Sequence, residues 1–211
     1  MRKNLYIIGG TMGVGKTTVC QILKGRLDKA VFLDGDWCWD AHPFVVTEET
    51  KAMVMDNICH LLNNFLRCGA YENIIFCWVL HQQDIIDELC ARLRLENCAV
   101  RRISLVCGAA ALERRLKRDI DAGIRGADVL ERSLARIALY EKLDTVKIDV
   151  SDITPEQAAE RIARLSTHAL FACACALRAG PRRPASRFRG AAIAPRRTLP
   201  RSAAGWGRCW I

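Results

Sequence analysis

The chain has 211 residues, of which 51% are hydrophobic, and a formal net charge of +9. This length suffices for one domain with a substantial core, and no run of about 18 apolar residues is present to span a membrane. The apolar run behind Arg2 and Lys3 is too short for a signal peptide, so we expect a cytoplasmic protein.

The eleven cysteines are consistent with that compartment. They are scattered through the chain, several of them inside apolar stretches, and no C-x-x-C pair occurs. Reduced, buried thiols are therefore predicted in preference to disulfides or a zinc site.

The first predicted elements are a strand, a loop and a helix. Residues 10–17 fit the phosphate-loop pattern G-x-x-x-x-G-K-[ST] at every fixed position. An apolar run at 5–8 precedes them, and apolar residues at helical spacing follow them. Glycines aim backbone N–H groups at phosphate, Lys16 places its charge on the β- and γ-phosphates, and the Thr17 hydroxyl can ligate Mg²⁺. The predicted ATP-binding residues are Gly10, Thr11, Met12, Gly13, Val14, Gly15, Lys16, Thr17 and Thr18.

The second predicted strand, 30–33, leads into Asp34, Gly35 and Asp36. In an open parallel sheet, ligands bind at the carboxyl ends of the strands, so both carboxylates are expected near the γ-phosphate. We expect Asp34 to bind Mg²⁺ together with Thr17 and Asp36 to take the proton from an acceptor hydroxyl. An exchange of these two roles remains open, as does a purely structural position in a turn.

An aromatic loop containing a histidine follows directly. Trp37, Trp39, His42 and Phe44 lie within eight residues of one another. Two interpretations remain open: these side chains line a pocket for the acceptor, or the aromatic rings anchor the loop by packing.

The third predicted strand, 73–79, is the most apolar, and no acidic residue follows it. Leu80, His81 and Gln82 come next. A mechanical ATPase places an acidic residue here for Mg²⁺ and water activation. The sequence therefore favours a kinase over a motor or an AAA-type hydrolase, and His81 and Gln82 are candidate acceptor contacts.

A basic helical segment follows the fourth predicted strand, 100–106. Seven Lys or Arg residues occur between positions 114 and 136. Phosphoryl transfer needs cations on the transferred group, which the planar guanidinium suits, and segment 123–126 is predicted to form a lid. A solvated basic helix face is the alternative. The candidate catalytic arginines are Arg115, Arg118 and Arg125, with Arg132 as a fourth.

A fifth strand, 145–150, completes an alternation of strands and helices that predicts a parallel sheet covered on both faces. The loop that follows this strand is expected beside the adenine. Helical patterns are predicted at 16–27, 48–67, 82–95, 109–122, 128–142 and 155–166. Thr47 before two glutamates, and Thr154 before Pro155 with Gln157 three residues on, indicate the starts of two of these helices.

These motifs together resemble the P-loop small-molecule kinase group: shikimate, gluconate, adenylylsulfate, chloramphenicol and nucleoside monophosphate kinases. The resemblance covers about residues 3–166. It rests on the phosphate loop, the Asp-Gly-Asp after the second strand, Arg115-x-x-Arg118 before the predicted lid, and residues 148–155, which include the end of the fifth predicted strand. The Asp-Gly-Asp is similar to that of adenylylsulfate-type kinases. The chain is also similar to uncharacterised bacterial AAA-type ATP-binding proteins.

The resemblance implies an α/β, three-layer P-loop NTPase fold. Its features are a five-stranded parallel sheet in the order 2-3-1-4-5, helices on both faces and a short helical lid. The implied activity is MgATP-dependent phosphoryl transfer to a small-molecule acceptor, with ATP and Mg²⁺ bound. The implied catalytic set is Lys16, Asp36, Arg115, Arg118 and Arg125.

Two other functions remain open: a nucleotide-binding regulatory protein without phosphotransfer, and a polynucleotide 5′-hydroxyl kinase. Residues 1–166 contain 23 basic and 23 acidic side chains, which argues against binding a phosphate backbone. The expected partner is a small molecule rather than a membrane or nucleic acid, and the chain is expected to be a monomer or homodimer.

The tail, residues 167–211, contains nine Arg, no Lys and no acidic residue. Such a segment, without a periodic apolar face, cannot bury enough surface to offset its ordering entropy. We therefore predict a P-loop kinase domain over 1–166 and a disordered tail rich in Arg, Pro and Ala. Two origins remain open for the tail: a shifted reading frame, or an arm that binds nucleic acid.

Overall fold

Five apolar runs of the chain form a single sheet in the computed structural model. The structure describes residues 2–126 and 128–176, with side chains as far as residue 165. All pairings are parallel, and the strand order is β2-β3-β1-β4-β5. The predicted fold class and strand order are therefore confirmed. The strands are β1 (Lys3–Gly9), β2 (Ala30–Asp34), β3 (Asn73–Cys77), β4 (Cys98–Val106) and β5 (Val146–Asp149).

Helices cover both faces of this sheet. In β1, Tyr6 and Ile8 pack into one core cluster, and Leu5 and Ile7 pack into the other. This alternation follows from the two-residue period of a strand. The helices are α1 (Lys16–Arg26), α2 (Glu48–Arg67), α3 (Gln83–Arg92), α4 (Ala109–Asp121), α5 (Val129–Ala135), α6 (Ile137–Glu141) and α7 (Pro155–Ala176).

Two predicted helix starts carry the capping bonds that their sequences indicate. The Thr47 hydroxyl accepts from the Thr50 N–H at 3.1 Å, and the Thr50 hydroxyl accepts from the Thr47 N–H. At α7, the Gln157 N–H donates to the Thr154 hydroxyl at 3.3 Å, and the Gln157 amide oxygen accepts from the Thr154 N–H. Each pair satisfies two backbone donors that a helix start would leave unpaired.

Two predicted helices differ from those observed. The helix predicted over 128–142 is two helices, α5 and α6, which meet at Arg136. The Leu139 N–H bonds to the Arg136 carbonyl there at 3.0 Å, a three-residue bond that tightens the turn. Helix α7 continues to Ala176, beyond its predicted end at 166.

The tail prediction lies largely outside the described residues. Residues 167–176 continue α7, and residues 177–211 are not described. None of the helices within 2–126 and 128–176 has the length and apolar character needed to cross a bilayer. The cysteines whose side chains the structure describes are all unpaired thiols.

The carboxyl ends of β1 and β3 hold the phosphate loop in place. The Trp78 N–H donates to the Ile8 carbonyl, and the Gly10 N–H donates to the Val79 carbonyl, each at 3.2 Å. The loop therefore leaves β1 directly beside the segment that leaves β3. Parallel strands bring these ends to one edge of the sheet, where the site lies.

Candidate functional site

The phosphate loop adopts backbone angles that favour glycine. Gly13 and Gly15 have φ values of 79° and 101°, and Gly15 immediately precedes the first residue of α1. A Cβ on Gly13 would lie 2.4 Å from Leu116 Cδ2, so the loop packs directly against α4. The loop is thus shaped by its own glycines and by its contact with α4.

Lys16 folds back across this loop. Its Nζ donates to the Thr11 carbonyl at 3.1 Å. Burial lowers the pKa of Lys16, although Cys77, Asp36 and Asp34 oppose the shift. The ammonium group is therefore held in a poorly solvated position, where an anionic ligand would relieve its desolvation.

Thr17 and Asp34 form the centre of the site. The Thr17 Oγ1 donates to the Asp34 Oδ2 at 2.7 Å, and the Asp36 N–H donates to the Asp34 Oδ1 at 3.1 Å. Asp34 is only 5% exposed. A hydroxyl and a carboxylate are the oxygen ligands that Mg²⁺ prefers, so this pair fits the ion by its donor chemistry.

Asp36 is exposed and lines the cleft beside the phosphate loop. Burial and the neighbouring Asp34 charge raise its pKa. Lys16, a hydrogen bond with the Trp78 side chain and the charge of Arg125 act in the opposite direction. A carboxylate whose pKa is raised in this way binds a proton more strongly, which suits a general base.

A cavity of about 520 Å³ joins these groups. The phosphate loop from Met12 to Thr18 lines it, as do Asp36 and the arginines before and within the predicted lid. The residues after β5 that line it are Val150, Ile153, Thr154, Pro155 and Ala158. The predicted site residues that line the cavity are Met12, Gly13, Val14, Gly15, Lys16, Thr17, Thr18, Asp36, Arg115, Arg118 and Arg125. Gly10, Thr11 and Asp34 are buried behind this surface.

Each predicted arginine has a different environment. Arg115 donates to the Val14 carbonyl at 3.3 Å and also to the Val150 carbonyl, so it joins the phosphate loop to the end of β5. Arg118 is exposed in the cavity wall. The Arg125 Nε donates to Asp119 Oδ2 at 3.1 Å.

Arg132 pairs with Asp128, the residue that immediately precedes α5, and does not line the cavity. Asp119, which does line it, was missed by sequence reasoning. Its six-residue separation from Arg125 matches no helical pairing pattern, so no sequence signal marked it.

The aromatic loop divides into an anchor and an exposed ring. Trp39 is 8% exposed and packs on Phe44 with a centroid distance of 4.8 Å. Trp37 is 58% exposed and meets Phe32 edge to face at 5.3 Å. The cavity wall, as far as the described residues form it, contains neither these rings nor His42. Packing therefore accounts for Trp39.

The third strand ends without a carboxylate, as predicted. Trp78, Val79, Leu80 and His81 follow β3, and Gln82 is the residue immediately before α3. His81 is only 4% exposed, and burial and the charge of Arg136 lower its pKa to about 4. The imidazole is therefore neutral at neutral pH.

Comparison with solved structures identifies similar folds. A gluconokinase from Sinorhizobium meliloti 1021 aligns with 16% identity and a TM-score of 0.59, over 81% of this chain and 98% of its own. The tunicamycin resistance protein of Deinococcus radiodurans aligns with 21% identity and a TM-score of 0.59, over 78% and 96%. The APS kinase of Mycobacterium tuberculosis, solved with AMPPNP and APS, aligns with 14% identity and a TM-score of 0.53, over 79% and 98%.

These likenesses agree with the fold that the sequence motifs imply. No curated protein sequence matches the chain. A family model described as an AAA domain matches residues 7–136, which include the phosphate loop, the Asp-Gly-Asp segment and the arginines that line the cavity. Since this match covers more than half of the sequence, the chain belongs to the AAA domain family, and its fold is that of the P-loop small-molecule kinases.

Proposed function

We propose that this protein is an ATP-dependent kinase that transfers the γ-phosphoryl group to a hydroxyl of a small molecule. The observation that carries the proposal is the position of Asp36. It opens onto the phosphate cavity next to the Thr17–Asp34 pair, and the strand beside it ends without a water-activating carboxylate.

The phosphate loop and Lys16 would bind the nucleotide. Backbone N–H groups of the loop and the start of α1 favour a polyphosphate by direct hydrogen bonds and by the helix dipole. The Lys16 Nζ, which now bonds the Thr11 carbonyl, is within the same cavity wall and would exchange that neutral partner for phosphate oxygens.

Thr17 and Asp34 would hold Mg²⁺. Their hydroxyl and carboxylate oxygens already lie together, and ions of this kind are usually bound by one or two carboxylates plus substrate phosphates. When bound, Mg²⁺ neutralises charge on the β- and γ-phosphates. The buried Asp34 also accepts a hydrogen bond from the Asp36 N–H, and this bond positions the backbone at Asp36.

Asp36 would accept the proton of the acceptor hydroxyl as the phosphoryl group is transferred. Its raised pKa strengthens it as a base, while Lys16 and Arg125 keep the carboxylate charged. Arg118 and Arg125 would place positive charge on the transferred group, and Arg115 would set the separation between the phosphate loop and the nucleoside end of the cavity.

The proposal is tested by Asp36→Asn. We expect phosphoryl transfer to fall by about 10²–10⁴-fold because the general base is lost, while the affinity for ATP stays near that of the wild type. Isothermal titration with an ATP analogue and acceptor-dependent ADP release measure the two quantities.

Asp40→Asn is the matched control, because Asp40 is an exposed carboxylate in the same segment that does not line the cavity. It should leave both quantities unchanged. Transfer by Asp36→Asn at close to the wild-type rate would show that Asp36 is not the base.

A further inference from the structure

A second acidic side chain besides Asp36 lines the nucleotide cavity. Among the described residues, the charged side chains in the cavity wall are those of Lys16, Arg115, Arg118, Arg125, Asp36 and Asp119. Asp36 is the proposed base, whereas Asp119 has no proposed role. A carboxylate in this wall repels the phosphates of a nucleotide, so its position is unfavourable for binding unless it has a positive partner there.

The position of Asp119 is also unfavourable for the helix that carries it. Asp119 lies in the last turn of α4, which ends at Asp121. The carbonyl groups at a helix C-terminus carry a partial negative charge, which destabilises a carboxylate nearby. Neither the helix nor the phosphates favour an acidic residue here, so a tertiary partner is needed to account for it.

That partner is Arg125. The Arg125 Nε donates to Asp119 Oδ2 at 3.1 Å, and the two side chains are 35% and 24% exposed. Partial shielding from water makes the attraction stronger than in a fully exposed pair. The bond is made through Nε, so the four N–H groups of the two terminal nitrogens remain for a ligand in the cavity.

The backbone of Asp119 holds the same turn. The Gly123 N–H donates to the Ile120 carbonyl, and the Ile124 N–H donates to the Asp119 carbonyl, each at 2.9 Å. Gly123 has a φ of 70°, and these two bonds form the Schellman motif that ends many helices. The motif turns the chain back at the end of α4, and Arg125 follows it directly.

We propose that Asp119 is a positioning residue that holds the Arg125 guanidinium through Nε and directs its terminal nitrogens to the γ-phosphate of the bound nucleotide. The inference rests on the proposed function, which places the γ-phosphate in this cavity. An arginine that is already paired has lost most of its rotamer freedom, so it binds phosphate at a lower entropic cost than a free side chain.

This role predicts the opposite sign from simple charge repulsion. If Asp119 acted only as a negative charge beside the phosphates, its removal would strengthen the binding of ATP. If it positions Arg125, its removal releases the guanidinium and weakens the contact with the γ-phosphate. ADP lacks that phosphate, so the ratio of the affinity for an ATP analogue to the affinity for ADP isolates the effect.

The test measures this ratio by isothermal titration calorimetry with Mg²⁺ and either ADP or the β,γ-imido analogue of ATP. We expect Arg125→Ala to lower the ratio about tenfold, the value of a hydrogen bond to a charged group, and Asp119→Ala to lower it by most of that factor. Asp119→Asn keeps an oxygen that can accept from Nε, so it should retain most of the ratio. The double variant Asp119→Ala/Arg125→Ala should lose no more than Arg125→Ala alone, because the two residues act as one unit.

Asp121→Ala is the matched control, because Asp121 is an exposed carboxylate at the end of the same helix and does not line the cavity. It should leave the ratio unchanged, and thermal unfolding checks that every variant is folded. A purely structural role for Asp119 predicts a lower unfolding temperature with an unchanged ratio. An unchanged or higher ratio in Asp119→Ala would overturn the proposal, as would an unchanged ratio in Arg125→Ala or additive losses in the double variant.

The titration contains no acceptor, so its result does not depend on phosphoryl transfer. A ratio that falls in Asp119→Ala, in a protein that transfers no phosphoryl group, would support the positioning role and contradict the kinase proposal. An unchanged ratio in a protein that does transfer the group would overturn the positioning role and leave the kinase proposal standing.

Discussion

Asp34 and Asp36 are chemically identical residues in different environments. Asp34 is 5% exposed and accepts hydrogen bonds from the Thr17 hydroxyl and the Asp36 N–H, an environment that fits its proposed role as a ligand of Mg²⁺. Asp36 opens to the cavity and has a raised pKa. Their order in the chain left the two roles exchangeable, and their different exposure supports the proposed assignment.

The raised pKa of Asp36 predicts the acid limb of the pH–rate profile. The base must be deprotonated, so kcat/KM should fall as the pH decreases through the pKa of Asp36 in the free protein. Because burial and Asp34 raise that pKa, the midpoint should lie above the usual carboxyl value of about 3.9. A profile that stays flat down to that usual value would contradict the environment derived for Asp36.

We expect Lys16 to destabilise the folded protein when no nucleotide is bound. Its pKa is lower in the folded state than in the unfolded chain. The resulting destabilisation is therefore complete below the folded-state pKa and is lost as the pH rises from that pKa to the pKa of the unfolded chain. We therefore expect Lys16→Met to abolish ATP binding and to raise the unfolding temperature, by about 2–4 °C for each kcal/mol recovered.

Lys24→Met is the control for this effect, because Lys24 lies on the exposed side of the same helix. Thermal unfolding followed by circular dichroism checks both variants. A lower unfolding temperature for Lys16→Met would mean that Lys16 stabilises the empty loop through its bond to the Thr11 carbonyl.

The hydrogen-bond partners of Arg115 could not be predicted from the sequence. Its position before the lid and its pairing with Arg118 marked it for the phosphates. Contacts with the Val14 and Val150 carbonyls, which no sequence spacing reveals, place its guanidinium between the phosphate loop and the end of β5. These partners lie 101 and 35 residues away in the chain.

At the scale of elements, the phosphate loop and α4 behave as one unit. Gly13 leaves no space for a side chain because Leu116 of α4 lies against it. Helix α4 also carries Arg115 and Arg118, and Arg125 follows it, so the position of the loop and the position of the arginines are coupled through this contact.

Gly13→Ala tests this coupling. The new Cβ would overlap Leu116 and would also occupy an unfavourable φ of 79°, so we expect a loss of stability of about 1–3 kcal/mol. The affinity for ATP should fall as well, because α4 must move. Denaturant unfolding and titration with an ATP analogue measure these two effects.

Gly25→Ala provides the control, since Gly25 lies within α1 and a Cβ there would meet nothing within 4 Å. It should stabilise the protein by roughly 0.5–1 kcal/mol, as alanine does in a helix, and leave ATP binding unchanged. Equal effects of the two substitutions would refute the coupling between loop and α4.

The strands and helix starts could be predicted because each follows from a pattern in the neighbouring residues. Apolar runs marked all five strands, and the threonine caps marked the starts of α2 and α7. The break between α5 and α6 could not be predicted, since residues 128–142 keep an apolar period across it. The Ser133 carbonyl accepts from the Thr11 hydroxyl of the phosphate loop, a contact between residues far apart in the chain that no sequence spacing reveals.

At the scale of the whole molecule, the nucleotide side could be predicted more fully than the acceptor side. The phosphate loop is a contiguous stretch whose backbone creates the site, so eight residues of sequence were enough. The proposed base Asp36 follows β2, whereas the arginines that line the cavity belong to α4 or follow it, so this part of the site comes from elements that are far apart in the chain. The match to the AAA domain family covers residues 7–136, and a shared fold does not by itself specify what a protein acts on.

The most direct test of the kinase proposal follows the γ-phosphoryl group itself. The wild-type protein is incubated with Mg²⁺ and ATP labelled in the γ-phosphate, with and without a panel of hydroxyl-containing small molecules. We predict that label moves to a small molecule and that ADP release depends on that acceptor. ATP that is bound but never turned over, or label released equally as inorganic phosphate with and without every acceptor, would contradict the proposal.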